Sequence, residues 1–384
     1  MRSMRVVHVI SGLDRQKGGV VMSLIGLATA QARVGLDVSI LSSYQADEDN
    51  RAVDELRAIG VKVTMVGPVI RRLAHWSRGN RTAANAAVAA ADVAHIHGPW
   101  EDIYHQVMRA CRQQRKPYVV SAHGMLSPWS MSLSPVRKRL YLALRLRHDL
   151  DRAAAIHFTT DEEARQLRPM GLKARPLIQA LGLDLTEFET LPPAGTFRAH
   201  YPDLAGRTVL IFLGRMHLQK GLEILIPAFA KANAPDARLV LAGPDDGGYV
   251  DVVRGLVKQY GVADRVIFTG MLLGRDRVAA LADADLFVLT SHQENFGIVV
   301  LEALAAGTAA LISDRVNFAE HMAGQDVGEV VPCDVDSAAR AIERWAADPA
   351  RRAAAGARAR AFALKHYDWL PIAERWKTHY GSVA

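Results

Sequence analysis

The sequence predicts an α/β protein built from two doubly wound parallel sheets with a helical C-terminal tail. Short β-branched runs alternate with longer helical patterns along the chain, the rhythm of βαβ units. At 384 residues the chain is long for one ordinary domain, and two are the default expectation. Half the residues are hydrophobic and 23% are charged, enough for each half to bury a core of its own.

In the first half the strand candidates are Arg5–Ile10, Val38–Leu41, Val61–Val66, Val93–His97, Tyr118–Ser121 and Ala155–Phe158. Several are continuous apolar runs, as expected where helices cover both faces of a sheet. The second half repeats the rhythm at Thr208–Leu213, Arg238–Ala242, Arg265–Thr269, Leu286–Thr290, Ala309–Ser313 and Glu329–Val331. Helical patterns fall between these, among them Gly221–Ala232, Tyr249–Tyr260 and Gly297–Ala306. Beyond Val331 only helical patterns follow, through Arg340–Trp345, Arg351–Lys365 and Pro371–Tyr380. Gly182, Pro192, Pro193 and Gly195 punctuate the segment between the halves and mark the boundary. Residues 1–185 and 186–365 therefore read as two domains facing across a cleft, and residues 366–384 as a terminal helix expected to pack back on the first.

Composition narrows the function. The longest apolar runs, such as Thr208–Gly214, are strand-sized and fall short of the roughly 20 residues that cross a bilayer. The opening MRSMRVVHVI runs straight into a strand pattern, so no signal peptide is expected. Cys111 and Cys333 lie far apart and read as reduced thiols of a cytoplasmic protein. A net charge of +7 favours an anionic partner without choosing one. No GxGxxG follows a first strand and no GxxxxGK[ST] occurs, which argues against a dehydrogenase and a P-loop enzyme. No nucleic-acid reading motif is present, so nucleic acid is not an expected partner.

The chemistry should lie in the loops after strands, since doubly wound sheets bind ligands beyond their carboxyl ends. Two such loops stand out. After Thr290 the chain reads SHQENFGIVVLE, with Glu294 on the loop and Glu302 inside the next helix. The amides of Asn295, Phe296 and Gly297 would form an anion site at the helix start. The two carboxylates could accept from separate hydroxyl-bearing groups of one ligand. After Leu213 the chain reads GRMHLQKG. Arg215 and Lys220 in this loop could converge on a diphosphate without a metal, each charge-assisted bond contributing on the order of 1.5–3 kcal/mol.

These segments, with GPDDGGY at 243–249, RVIFTG at 265–270 and ADLFVLTS at 284–291 in that order, resemble the retaining family 4 glycosyltransferases of the GT-B fold. The resemblance covers nearly the whole chain. It implies an N-terminal acceptor-side domain and a C-terminal nucleotide-sugar domain, with a UDP- or GDP-type sugar as donor substrate, no cofactor and no metal. Arg215 and Lys220 would bind the donor diphosphate, Glu302 the ribose, and Glu294 the sugar hydroxyls beside the amides of Asn295, Phe296 and Gly297. Gly18 and Gly19 match the glycine pair that brings backbone to the donor, and His123 matches the histidine that faces the donor sugar. His97 and Trp100 could line the acceptor side or simply pack; both readings stand. Leu181-Gly182 and Thr308-Ala309 depart from the family pattern and bear on hinge details only.

The reaction implied is transfer of a sugar with retention to a glycan or lipid-linked acceptor in cell-surface polysaccharide or lipopolysaccharide assembly. The alternatives are a nucleotide-sugar epimerase or a phosphorylase of the same fold, or a nucleotide-sugar-binding protein without turnover. The acidic strings Asp283–Asp285 and Asp334–Asp336 resemble metal motifs but read as a helix end and a helix N-cap. Residues 135–148 are basic and apolar with a ragged helical wheel. Together with Arg71, Arg72, Trp76, Arg78 and Arg81 they offer either a peripheral docking face for anionic lipid at the inner membrane face or a packed helix with solvated basic ends.

Overall fold

A computed structural model describes residues 3–15, 18–43, 51–67 and 78–384. The chain divides into two compact units, one formed by residues 1–182 with 369–384 and the other by residues 183–368.

The first unit holds β1 (Arg5–Ile10), β2 (Asp37–Ser43), β3 (Lys62–Val66), β4 (Val93–His97), β5 (Tyr118–Ser121), β6 (Ala155–Phe158) and β7 (Arg175–Ile178). They form one sheet in the order β3-β2-β1-β4-β5-β6-β7, and every pairing is parallel. The second unit holds β8 (Thr208–Leu213), β9 (Ala237–Ala242), β10 (Val266–Gly270), β11 (Leu286–Leu289), β12 (Ala310–Ser313) and β13 (Gly328–Val331). Their order is β10-β9-β8-β11-β12-β13, again all parallel. The central strands are buried along nearly their whole length, which is why they read as unbroken apolar runs rather than alternations.

β7 has no counterpart among the expected strands. Its sequence RPLI carries Pro176, and three of its four residues are exposed. A proline lacks the ladder donor and is tolerated at an edge, the place β7 takes beside β6.

Helix Trp369–Gly381 belongs to the first unit. Its Trp369 ring lies against two glycines. A Cβ at Gly26 would stand 2.2 Å from Trp369 Nε1, and one at Gly182 would stand 2.6 Å from Cδ2. Trp376 and Tyr380 of the same helix are fully buried.

The ragged wheel of residues 135–148 has a geometric cause. Helix Pro135–Tyr141 passes through a π-turn at Leu142–Leu146 into helix Arg147–Leu150, and such a turn rotates all later side chains relative to the earlier ones. Leu146 and Leu150 are consequently buried, while Val136, Leu140 and Leu144 are 80%, 58% and 77% exposed. Arg71, Arg72, Trp76 and the side chain of Arg78, expected to complete a wider docking face with Arg81, lie outside the described residues, and Arg81 is exposed.

Both acidic strings are engaged within the fold. The Asp283 carboxylate accepts from the amides of Gly195 and Phe197, each at 2.7 Å, and Arg198, at 3.2 Å. It thereby ties the start of the second unit to the end of helix Gly274–Asp283. Asp285 accepts from Val209 N–H at 2.7 Å and pairs with Arg198. Asp334 caps helix Val335–Ala347 by accepting from Ser337 N–H at 2.7 Å. Among the described residues, no helix is long and apolar enough to cross a membrane.

Candidate functional site

In each sheet the strand order reverses once, between β1 and β4 in the first unit and between β8 and β11 in the second. Chains leaving neighbouring strands at such a point turn to opposite faces, and the loops they open flank a crevice beyond the carboxyl ends. GRMHLQKG follows β8 and SHQENFG follows β11, so the two most specific segments stand on either side of the reversal in the second unit.

Glycines bring these loops close together. A Cβ on Gly221 would sit 2.0 Å from the Thr290 carbonyl oxygen, and its φ is +66°. Thr290 Oγ1 in turn donates to the Gly221 carbonyl at 2.8 Å. A Cβ on Gly243 would meet the Gly214 carbonyl at 1.8 Å, so the loop after β9 presses on the same segment. Gln219 Nε2 donates to the Gln293 carbonyl at 2.7 Å and His292 N–H to the Gln219 carbonyl at 2.9 Å.

Across this seam Lys220 Nζ forms an ion pair with Glu294, whose carboxylate also accepts from Ser291 Oγ at 3.2 Å. Both charged side chains are only slightly exposed, at 14% and 13%. Glu294 is fixed on both sides by its own backbone, through Glu294 N–H to the Arg315 carbonyl and Asn317 N–H to the Glu294 carbonyl, both 3.1 Å. Gly297 caps helix Ile298–Ala305 at φ +80°, a left-handed conformation that favours glycine. Val300 N–H donates to the Gly297 carbonyl at 2.8 Å, and the helix amides ahead of it precede the first intrahelical acceptor.

The remaining candidates of this unit are held differently. Arg215 pairs with Asp246 and Lys220 with Glu294, so among the described residues the two cations share no partner. Glu302 is buried and pairs with Arg277 at 3.1 Å. Burial raises its pKa, an effect that Arg277 opposes. The Phe296 side chain is buried edge-on to Phe318 at 5.2 Å. That residue can offer a ligand only its backbone.

In the first unit Gly18, at φ +92°, caps helix Gly19–Arg33 in the loop after β1. His123 follows β5 in a left-handed conformation, φ +48°, and Glu163 holds its loop. That buried carboxylate accepts from Gly124 N–H at 2.9 Å, Thr159 N–H at 2.8 Å and Thr159 Oγ1 at 3.0 Å. Burial lowers the His123 pKa to about 3. His97 is buried at the end of β4, with its ring nitrogens 2.9 Å from His8 Nδ1 and 3.1 Å from His123 Nε2. It packs and positions His123 instead of opening toward an acceptor. Trp100 donates from Nε1 to the Met125 carbonyl at 3.3 Å and lies 5.8 Å from the Tyr141 ring, half-buried. His8, His95 and His97 place ring nitrogens within 4.8 Å of one another, a grouping able to hold a metal ion. All six of those nitrogens already have hydrogen-bond partners.

Residues 196–362 match the family model of the glycosyl transferases group 1, and residues 18–179 match that of the glycosyl transferase 4-like domain. The chain belongs to the group 1 glycosyltransferases. This glycosyltransferase is 29% identical over 270 residues to the GDP-mannose-dependent alpha-(1-6)-phosphatidylinositol monomannoside mannosyltransferase of Mycolicibacterium smegmatis, covering 68% of this chain and 69% of the relative. It is 25% identical to the GDP-mannose:cellobiosyl-diphosphopolyprenol alpha-mannosyltransferase of Xanthomonas oryzae pv. oryzae, over 98% and 96% of the two chains. Among solved structures, Anabaena HepE in complex with UDP and glucose superposes with a TM-score of 0.80 at 20% identity, covering 99% of this chain and 100% of that one. The fold of the glycosyltransferase is therefore GT-B.

Asp246, Arg277, Glu163, His8, His95 and His157 are site neighbours that reading the sequence did not single out. Glu163 had a signal: Thr160 and Glu163 have the spacing of a capping box, and Thr160 Oγ1 does accept from Glu163 N–H at 3.0 Å.

Proposed function

We propose that this glycosyltransferase transfers a hexose, with retention and without a metal, from a nucleotide diphosphate sugar to a glycan or lipid-linked acceptor. The observation that carries the reading is the Lys220–Glu294 pair at the strand-order reversal of the second unit, beside a glycine-capped helix start. A cation, a carboxylate and oriented amides at one place suit a diphosphate joined to a polyhydroxylated sugar. In this structure Lys220 and Glu294 pair with each other. On binding, Lys220 would move to the diphosphate and Glu294 would accept from sugar hydroxyls, with Arg215 leaving Asp246 to join Lys220. Glu302 would hold the ribose and exchange part of its contact with Arg277.

Retention without a covalent nucleophile calls for attack from the face the diphosphate leaves. The departing diphosphate takes the acceptor's proton while Lys220, Arg215 and the helix start stabilise its growing charge. His123 of the first unit is assigned to the donor sugar on the strength of the family resemblance. The GDP-mannose donors and phosphatidylinositol or polyprenol acceptors in the relatives' names support a lipid-linked acceptor, which we place in cell-surface polysaccharide assembly at the inner face of the membrane. The exposed Val136, Leu140 and Leu144, flanked by exposed Arg137 and Arg139, support contact with an anionic surface there.

A thermal-shift panel of UDP, GDP and their sugars identifies the base, because only a ligand of the native state raises the melting temperature. With the donor so found, Lys220→Ala is expected to cut affinity and turnover by about 10- to 100-fold, the loss of one charge-assisted phosphate bond. Wild-type turnover in this variant overturns the assignment.

A further inference from the structure

The first unit contains a continuous run of buried polar side chains that the proposed chemistry does not use. Starting at β6, His157 Nε2 lies 2.8 Å from the Gln179 carbonyl oxygen, and His157 Nδ1 lies 2.6 Å from Ser121 Oγ. Ser121 Oγ is 2.7 Å from His95 Nε2, and His95 Nδ1 is 2.7 Å from the Tyr380 hydroxyl. Gln31 Nε2 reaches that hydroxyl at 3.2 Å, and Gln31 Oε1 is 2.7 Å from His8 Nε2. His8 Nδ1 is 2.9 Å from His97 Nε2, and His97 Nδ1 is 3.1 Å from His123 Nε2. The run therefore joins β1, β4, β5 and β6 to helices Gly19–Arg33 and Trp369–Gly381, and it ends on His123.

Its polarity is set at one end. A backbone carbonyl has no proton to give, so His157 must carry its proton on Nε2 and accept on Nδ1. Ser121 must then donate to His157 and accept from His95 Nε2–H. That leaves His95 Nδ1 an acceptor, so Tyr380 donates to it and accepts from the Gln31 amide. The Gln31 carbonyl oxygen accepts from His8 Nε2–H, which makes His8 Nδ1 the acceptor for His97 Nε2–H. His97 Nδ1 finally accepts from His123 Nε2–H. Reversing any link puts two donors or two lone pairs face to face, unless an imidazole becomes doubly protonated. Burial holds all five histidines below their usual pKa, so the neutral, singly protonated rings are the stable ones.

We infer that these eight hydrogen bonds form one directional chain that fixes His123 as its Nε2–H tautomer, with Nδ1 kept as a proton acceptor. Tyr380, Gln31 and Ser121 are its positioning residues. Among the described residues no protein group bonds His123 Nδ1, so that nitrogen is available to accept from a ligand hydroxyl and unable to donate to one. The link to sugar transfer rests on the reading that places His123 at the donor sugar; the tautomer itself does not. The C-terminal helix then has a chemical part as well as a packing one, because among the described residues Tyr380 is the only hydrogen-bonded link between the β6 end of the chain and His8, His97 and His123.

The test is long-range proton–nitrogen correlation on the full chain labelled with ¹⁵N-histidine, at pH 7.5. Protonated and unprotonated ring nitrogens have well-separated shifts, and single histidine substitutions assign the signals. The expected result is Nε2–H at all five of His8, His95, His97, His123 and His157. Tyr380→Phe removes the relay hydroxyl. His157 should keep its tautomer while Nδ1–H signals appear at His8, His97 and His123. Ser121→Ala interrupts the chain with a smaller change, and Ser121→Thr, which keeps a hydroxyl, should restore the wild-type pattern. Nδ1–H at His123 or His157 in the wild-type chain overturns the inference even if no variant folds. So does a Tyr380→Phe spectrum with His123 unchanged. Because the spectrum reads the chain with or without sugar transfer, its failure is distinct from failure of the transferase reading.

Discussion

Replacing Glu163 tests how the His123 loop is held. Glu163 is 1% exposed, and its carboxylate accepts from the Gly124 and Thr159 amides at 2.9 and 2.8 Å. Glu163→Ala leaves both buried donors without that acceptor, and each such loss costs about 1–3 kcal/mol. The sum is about 2–6 kcal/mol, a large part of the stability of a single domain. Glu163→Gln keeps one carbonyl oxygen for one amide but presents an NH₂ to the other, so about half that loss is expected. Unfolding of a two-unit chain is not a single transition, so the direct assay is hydrogen exchange at the two amides. Since about 1.4 kcal/mol is tenfold, Gly124 should exchange at least tenfold faster in the alanine variant, with the glutamine variant between it and wild type. Wild-type protection at Gly124 in Glu163→Ala would refute the argument that this carboxylate orders the loop.

Two further outcomes follow from the same structure. Gly221→Ala places a methyl 2.0 Å from the Thr290 carbonyl at a φ of +66°; the strained backbone alone costs about 1–3 kcal/mol, and nucleotide binding should weaken at least tenfold because the β8 and β11 loops are pushed apart. Retained affinity, measured calorimetrically, would show that the two loops do not act together. The buried histidines make the first unit sensitive to acid. His8 and His157 have pKa values lowered to about 4, so below the unfolded value near 6.5 the unfolded chain binds more protons, and stability falls as pH drops from about 6.5 toward 4. Each contributes a slope of up to about 1.4 kcal/mol per pH unit. Urea unfolding of the first unit, followed by hydrogen exchange in β1 and β6 at pH 7 and pH 5, should show that loss. Equal protection at both would contradict neutral burial.

The second unit was more legible in the sequence than the first for a physical reason. Its chemistry-bearing residues sit in two continuous segments, each running from a buried strand through a glycine-bounded loop into a helix, so local spacing is enough to find them. The partners that hold those residues come from elsewhere in the chain: Asp246 from the loop after β9 and Arg277 from a helix. Arg277 carries no local mark, and Asp246 lies in the GPDDGGY segment without any local sign of its pairing with Arg215. In the first unit the histidines are scattered over β1, β4 and β6 and come together only through strand register, His8 opposite His95 and Ser121 opposite His157. Read singly, His97 could serve an acceptor or the core; the sheet decides for the core by giving both its nitrogens a histidine partner. β7 was hidden by Pro176, and the π-turn at Leu142–Leu146 was visible only as a wheel that would not close.

In the proposed reaction Lys220, Arg215 and the start of helix Ile298–Ala305 receive a diphosphate while Glu294 turns to the sugar. A crystal structure with the nucleotide sugar chosen by the thermal-shift panel tests it directly. Diphosphate oxygens should lie within hydrogen-bond reach of Lys220 Nζ, the Arg215 guanidinium and the Gly297 amide, with the Lys220–Glu294 pair opened and a sugar hydroxyl on the Glu294 carboxylate. A ligand seated away from these groups, with Lys220 still on Glu294 and Arg215 still on Asp246, would contradict it.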